Sequence, residues 1–377
     1  MALKNAEKLK LRRAIFRSLR IQGYIVENGD VRLQEDASKD YIRSLHQIAA
    51  QHRLEEAGDS LRNREDELLS FIADGKDVHP NAIRPRLVPV ANEIDALLFR
   101  YVSLHWSVPV SSGYGRRFRF LVFDENNGKL IGIFALGDPV YALTDRDKWI
   151  GWDFETKRDR LCHVMDAYVL GAVPPYSSLL CGKLVATLVL SNEVREFFRN
   201  RYRGRTSLIS RRENKAQLAL VTTTSALGRS SLYNRIRVEG IQFWTRIGLT
   251  KGYGEFQFSN GLYGAIRDFA VRHCEPTDKN TSFGEGFRNK REIVAKSLRV
   301  LGFHSAFRKH GVRREIFAAP LGSDALRFLR GEVNRPRFFD WPVQDLADLA
   351  LRRWVQPRAD RDSSFRDFRR HQYRLWE

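Results

Sequence analysis

Seven arginines crowd the stretch from Arg195 to Arg212: Arg195, Arg199, Arg201, Arg203, Arg205, Arg211 and Arg212, with Phe197, Phe198 and Tyr202 between them. A guanidinium forks onto two phosphate oxygens and lies flat on a base, and an aromatic ring gives a base a stacking platform. Residues of these types so interleaved predict nucleic-acid contact. A solvated charged face is the ordinary alternative. Arg229, Arg235 and Arg237 continue the bias toward arginine.

Hydroxyls form a second group. Thr223, Thr224 and Ser225 close an apolar run, with Gly228-Arg229-Ser230 just beyond, and Ser177 and Ser178 follow Pro174-Pro175. Hydroxyls and backbone N–H groups at a strand end or helix start hold phosphate. Equally, threonine suits strands and serine caps helices.

Carboxylates are the third. Asp166 interrupts the run VMDAYVL, so a buried charge there needs a partner. One reading makes it the metal-binding or general-base carboxylate of a strand-cutting or group-transferring site, with Lys183 and Asp138 as further catalytic candidates. The other makes it a structural partner of Arg119 or Arg146. His105 and His163 lack metal-ligand spacing, so no metal site is expected. No phosphate-binding loop G-x-x-x-x-G-K-[ST], nucleophile elbow G-x-S-x-G or zinc motif H-E-x-x-H occurs, which argues against ATP hydrolysis and gives no cofactor.

These side chains must be placed by strands and helices. Residues 161–212 read as a buried strand, a break at the two prolines, a helix from about Leu179 capped by Ser177 or Ser178, and the arginine-rich end. Arg117 to Phe123 and Leu130 to Leu136 flank Asn127-Gly128, a two-residue hairpin signal, and Gln217 to Leu227 reads as another strand. Upstream, residues 6–22 look helical with Lys and Arg on the outer face. A hairpin at Asn28-Gly29 follows, resembling the end of a winged helix. HPNAIRPRLVPV, with three prolines, reads as a linker. The expectation is an α/β (α+β) protein with a mixed sheet. It divides into a helical N-terminal part (1–85), a mixed core (86–330) and a basic aromatic extension (331–377) that docks on a partner or on a second copy.

The chain has 377 residues, with 64 Lys plus Arg against 45 Asp plus Glu, a net charge of +19. Such an excess favours a polyanion, because each neutralised phosphate releases counterions. No apolar run is long enough to span a bilayer and no signal-peptide pattern is present. Three scattered cysteines, Cys162, Cys181 and Cys274, suit a reducing compartment, so the cytoplasm is expected and a membrane is not.

The order hairpin, helix, strand, helix, strand over roughly 115–260 resembles the GCN5-related N-acetyltransferase fold. Gly171 and Gly182 stand too far apart for that family's pyrophosphate loop, so the resemblance implies a shared scaffold without acyl-CoA. Longer words, among them LGDPVYAL at 136–143, MDAYVLGAVPPYS at 165–177, VTTTSALGRSSLYNR at 221–235 and HGVRREIFAAPLG at 310–322, resemble the DruA family of the Druantia anti-phage systems. That resemblance covers about 95–330. It implies a bacterial defence component acting with the other products of its operon, including a helicase-like protein, and it brings no catalytic residues. The function expected is nucleic-acid binding within that system, DNA ahead of RNA. The alternatives are an enzyme acting in an Asp166–Ser178 crevice, by group transfer or metal-dependent strand cleavage, and a structural hub.

Overall fold

A computed structural model describes residues 2–27, 30–34, 38–110, 115–206, 216–238, 240–258, 261–277, 283, 287–303 and 305–376. In chain order the main elements are α1 (Ala2–Ile21), a hairpin of Ile25–Glu27 with Asp30–Arg32, α2 (Lys39–Arg62), β1 (Pro85–Pro89), α3 (Glu93–Leu104), β2 (Arg117–Asp124) and β3 (Lys129–Gly137). Then come α4 (Thr144–Ile150), β4 (Val164–Ala172), α5 (Cys181–Leu188), α6 (Asn192–Tyr202), β5 (Leu220–Thr224) and β6 (Thr245–Leu249). Last are α7 (Leu262–His273), α8 (Phe287–Val300), β7 (Glu315–Pro320) and α9 (Val343–Ala350).

The seven sheet strands lie in the order β6-β7-β5-β4-β3-β2-β1. Every pairing is antiparallel except β4 with β5. Parallel neighbours need a crossover, and α5 and α6 supply it. The parallel register runs only from Val164↔Leu220 to Asp166↔Thr222. Beyond that, β4 continues to Ala172 on its β3 side alone. A mixed α/β protein is therefore what the chain forms.

The hairpin expected at Asn127-Gly128 is present, with Asp124 paired to Lys129 and Gly128 at φ +70°. The residues read as a proline-rich linker form β1 instead. An edge strand tolerates Pro85 and Pro89, because their missing N–H groups need no ladder partner on the open side. The helix after the proline pair starts at Cys181, behind Leu180 at φ +63°, with no serine cap; Ser191 then caps a separate α6 through Val194. Ser191 thus ends the single helix read from 179 onward.

Four apolar clusters organise the packing. On one face of the sheet, Phe118, Phe120, Phe134, Met165 and Val221 pack with α5, α6 and α9 around Trp244, whose Nε1 donates to the Ala186 carbonyl at 3.0 Å. On the other, Leu121, Phe123, Ile133 and Val169 meet α3 and the chain near Leu68. A smaller group joins Ile150 of α4, Val164, Leu220 and Phe328. A fourth joins Leu11, Ile15 and Leu19 of α1 and Ile42 and Leu45 of α2 to Ile266, Phe269, Ile293 and Val294 of α7 and α8. The hairpin after α1 pairs Val26 with Val31, and its turn, Asn28-Gly29, lies outside the described residues.

The C-terminal segment folds back on the molecule. Phe365 and Tyr373 are buried, and the Tyr373 ring stacks on His105 at 3.5 Å. Buried Glu65 accepts hydrogen bonds from Tyr101 Oη at 3.0 Å and from the Leu375 backbone N–H at 2.6 Å, and it pairs with Arg374 at 3.3 Å. Arg370 meets Asp74 at 3.7 Å, and Arg358 meets Asp362 at 2.6 Å. Several of the tail's cations are therefore neutralised within the chain.

Candidate nucleic-acid interface

Helix α6 buries Val194, Phe198 and Tyr202, and Arg199 and Arg201, two residues apart, leave its last turn on different flanks of that buried stripe. Arg199, Arg201, Arg203 and Arg205 are exposed, and none has an acidic partner among the described residues. Two of them lie near aromatic rings: the Arg201 guanidinium is 5.8 Å from the Phe197 ring, and that of Arg205 is 6.0 Å from Tyr202. The α6 C-terminus is also where helix dipole and cations agree, which stabilises the arginines in place. Arg195 differs. It donates to the Phe339 carbonyl and to Asn192 Oδ1, both at 3.0 Å, and lies over Phe338, so it ties α6 to the returning chain. Arg211 and Arg212 lie outside the described residues.

Arg229, Arg235 and Arg237 are exposed on the loop after β5. That loop packs Tyr233 and Ile236 into the same core as α5 and α6, so its arginines lie on the same side of the sheet. Lys183, on the first turn of α5, has its Nζ 5.3 Å from the Trp354 ring. Burial, and then the charges of Arg235 and Arg353, push its pKa down. No signal local to residue 183 announces Trp354 or Arg353, which arrive from the far end of the chain.

The carboxylates have other neighbours. Asp166 accepts the Thr222 hydroxyl at 2.8 Å. Burial raises its pKa to about 6, against the lowering influence of that hydrogen bond and of Arg146. Arg146 itself is wholly buried, paired with Asp147 at 2.6 Å and donating to the carbonyls of Val140 and Tyr141. Asp138 is held by Arg116, which reaches it through the backbone N–H and through Nε, both at 2.8 Å. No hydrogen bond or ion pair among the described residues joins Asp166, Asp138 and Lys183.

The hydroxyls do not converge either. Thr223 donates to the Ala167 carbonyl at 2.8 Å, and Ser225 donates to the Gly228 carbonyl while accepting the Glu315 N–H at 2.9 Å. Thr224 is half-buried, and Ser177 and Ser178 are exposed at the strand–helix junction. On the face of the sheet away from α5, Gly171 meets Trp106, which would stand 2.9 Å from a β-carbon at 171. A cleft of about 580 Å³ opens elsewhere, walled by Asn81, Arg84, Asn126, Gln344, Asp348 and Arg352 among others. No group of three or more His, Cys, Asp or Glu among the described residues could hold a metal ion. None of the described helices is long and apolar enough to cross a membrane.

Fold and surface define a mixed α/β protein with unpaired arginines on the α6 side of its sheet. The chain belongs to the family described as Druantia protein DruA, whose model matches residues 36–331. A relative named Druantia protein DruA, from Escherichia coli (strain UMEA 4076-1), is 37% identical over 375 residues, covering 99% of this chain and 91% of the relative. No solved structure matches the chain.

Proposed function

We infer that this chain, a component of a Druantia defence system, binds nucleic acid along the surface formed by the end of α6 and the loop after β5. The observation that carries the reading is the exposure of Arg199, Arg201, Arg203 and Arg205 without acidic partners among the described residues, beside the rings of Phe197 and Tyr202. Guanidinium groups left unneutralised are available to phosphate, whereas those of Arg358, Arg370 and Arg374 are already paired. Duplex DNA is the first ligand to test, with single-stranded DNA and RNA beside it. The helicase-like protein and the other operon products are the partners the family implies.

The test is fluorescence anisotropy with labelled DNA at several salt concentrations. Replacing Arg199, Arg201 and Arg203 with Glu should weaken binding at least about tenfold and flatten its salt dependence, each lost phosphate contact removing about 0.9 from the slope. Unchanged affinity and slope in a folded triple variant would remove this surface from consideration.

The strand order, with one parallel pair in an otherwise antiparallel sheet, supports relating the core to the N-acetyltransferase scaffold. A catalytic role for Asp166 has its raised pKa in favour, since such groups collect at active sites. Lys183 and Ser178 are not gathered around it.

A further inference from the structure

We propose that α1 carries a second, separate nucleic-acid surface, a stripe of Lys10, Arg13, Arg17 and Arg20 that lies along the backbone of a duplex. The four residues recur at spacings of three and four, so they fall within about 80° of one another around the helix. All four are exposed, while Leu11, Ile15 and Leu19 on the opposite side are buried against α7 and α8. Packing on that side fixes which way the stripe faces.

The stripe is not neutralised from within. Lys10, Arg13 and Arg17 have no hydrogen-bond or ion-pair partner among the described residues, and Arg20 reaches only the Val26 carbonyl at 3.4 Å. The helix has one acid, Glu7, and it is taken by Arg272 and by His273 at 2.9 Å. Arg12, which does not share this face, donates to the Leu301 carbonyl instead.

Geometry selects the partner. From Lys10 to Arg20 the helix rises about 15 Å. A duplex carries one phosphate charge about every 1.7 Å of axis, both strands counted, so a stripe of about 15 Å faces enough of them for each of its four cations. An anionic membrane would want apolar side chains to insert beside the cations. Here the apolar side of α1 is occupied by core, and the exposed Ile21 and Leu9 do not make a face. The stripe sits on the core shared by α1, α2, α7 and α8, not on the one beneath α6. It does not rest on the α6 arginines. With both surfaces the chain holds two tracts of nucleic acid, or one tract long enough to reach from one body to the other.

The experiment compares three proteins: wild type, the quadruple variant Lys10→Gln, Arg13→Gln, Arg17→Gln, Arg20→Gln, and the Arg199/Arg201/Arg203→Glu variant. Binding to duplex DNA is measured across a salt series, and circular dichroism checks folding. The expected result is a slope lowered by about three to four in the quadruple variant, with affinity at least about tenfold weaker. A charge-keeping variant, Lys10→Arg with Arg13, Arg17 and Arg20→Lys, should bind like wild type. Loss only in the α6 variant overturns the α1 stripe and leaves the α6 surface standing. Loss only in the α1 variant does the reverse. Binding of wild type to phosphatidylserine vesicles but not to DNA overturns the stripe as a nucleic-acid surface, and so does a folded quadruple variant with wild-type slope.

Discussion

At Asp166 partial burial disfavours the charged carboxylate, and one hydroxyl and the charge of Arg146 do not offset it, so the proton is held up to about pH 6. An unfolded chain releases that proton near pH 4. Between these values the folded state binds more protons than the unfolded one, so this residue makes stability fall as pH rises from about 4 to 6. Asp166→Asn should therefore flatten that part of the pH–stability curve and leave the protein no less stable at pH 7, as urea titrations at pH 4, 5, 6 and 7 would show. Its need for a partner is legible from Met165 and Ala167 on either side, but of the two arginines expected Arg146 acts only through its charge, its hydrogen bonds going to Asp147, Val140 and Tyr141. Thr222 was not legible, because strand register across the parallel pair is not written near either residue. The arginines at 199–205 were found by composition alone. What composition misses is that Arg195 in the same run is tied to Phe339 and Asn192.

Among the elements, the returning C-terminal chain changes the reading most. Its alternation of arginine and aromatic residues has the same appearance as the stretch after α6, yet Glu65 and Asp74 claim some of its cations. Distinguishing the two requires knowing that the chain comes back near residue 65, a long-range fact. Glu65→Ala should leave the Leu375 amide without its acceptor, while the Tyr101 hydroxyl keeps the Tyr373 carbonyl at 2.6 Å, and destabilise the protein by roughly 1–3 kcal/mol. Hydrogen exchange should then rise across 370–376 before any change in the sheet. Unaltered protection of that segment would show that Tyr373, stacked on His105, holds it unaided. Local signals did serve for β2 and β3, where Asn127-Gly128 sets the turn. They failed for β1, whose prolines look like a linker until the strand is known to be at the edge.

At the scale of the molecule, three histidines, His46 and His310 buried and His105 half-buried, have their pKa values pushed well below the usual range. His46 and His105 have pKa values pushed down to about 3, and His310 to about 4, in each case chiefly by burial. Arg314 adds to the effect on His46 and His310, and its guanidinium donates to His46 Nε2 at 3.2 Å, which fixes that nitrogen as an acceptor and the ring as neutral. An unfolded histidine takes up a proton near pH 6.5, so stability is full above that value and is lost as pH falls toward 3–4. The loss is roughly 1.4 kcal/mol per pH unit for each histidine, against the smaller, opposite trend from Asp166. Denaturant midpoints should drop steeply between pH 6.5 and 5, and a triple replacement of His46, His105 and His310 by Gln should remove most of the drop. A midpoint independent of pH in that range would mean that the rings are hydrated.

The core that joins α1 and α2 to α7 and α8 also sets an order of events. Leu11, Ile15 and Leu19 are made early, and the helices that cover them, Leu262–His273 and Phe287–Val300, are made far later. At roughly 5–20 residues per second, translation keeps that apolar seam bare for roughly twelve to fifty-five seconds. A newborn copy therefore waits, with the apolar side of α1 uncovered, for chain not yet synthesised. Slower elongation lengthens that exposure, and chaperones that grip short greasy helices have their natural opening there.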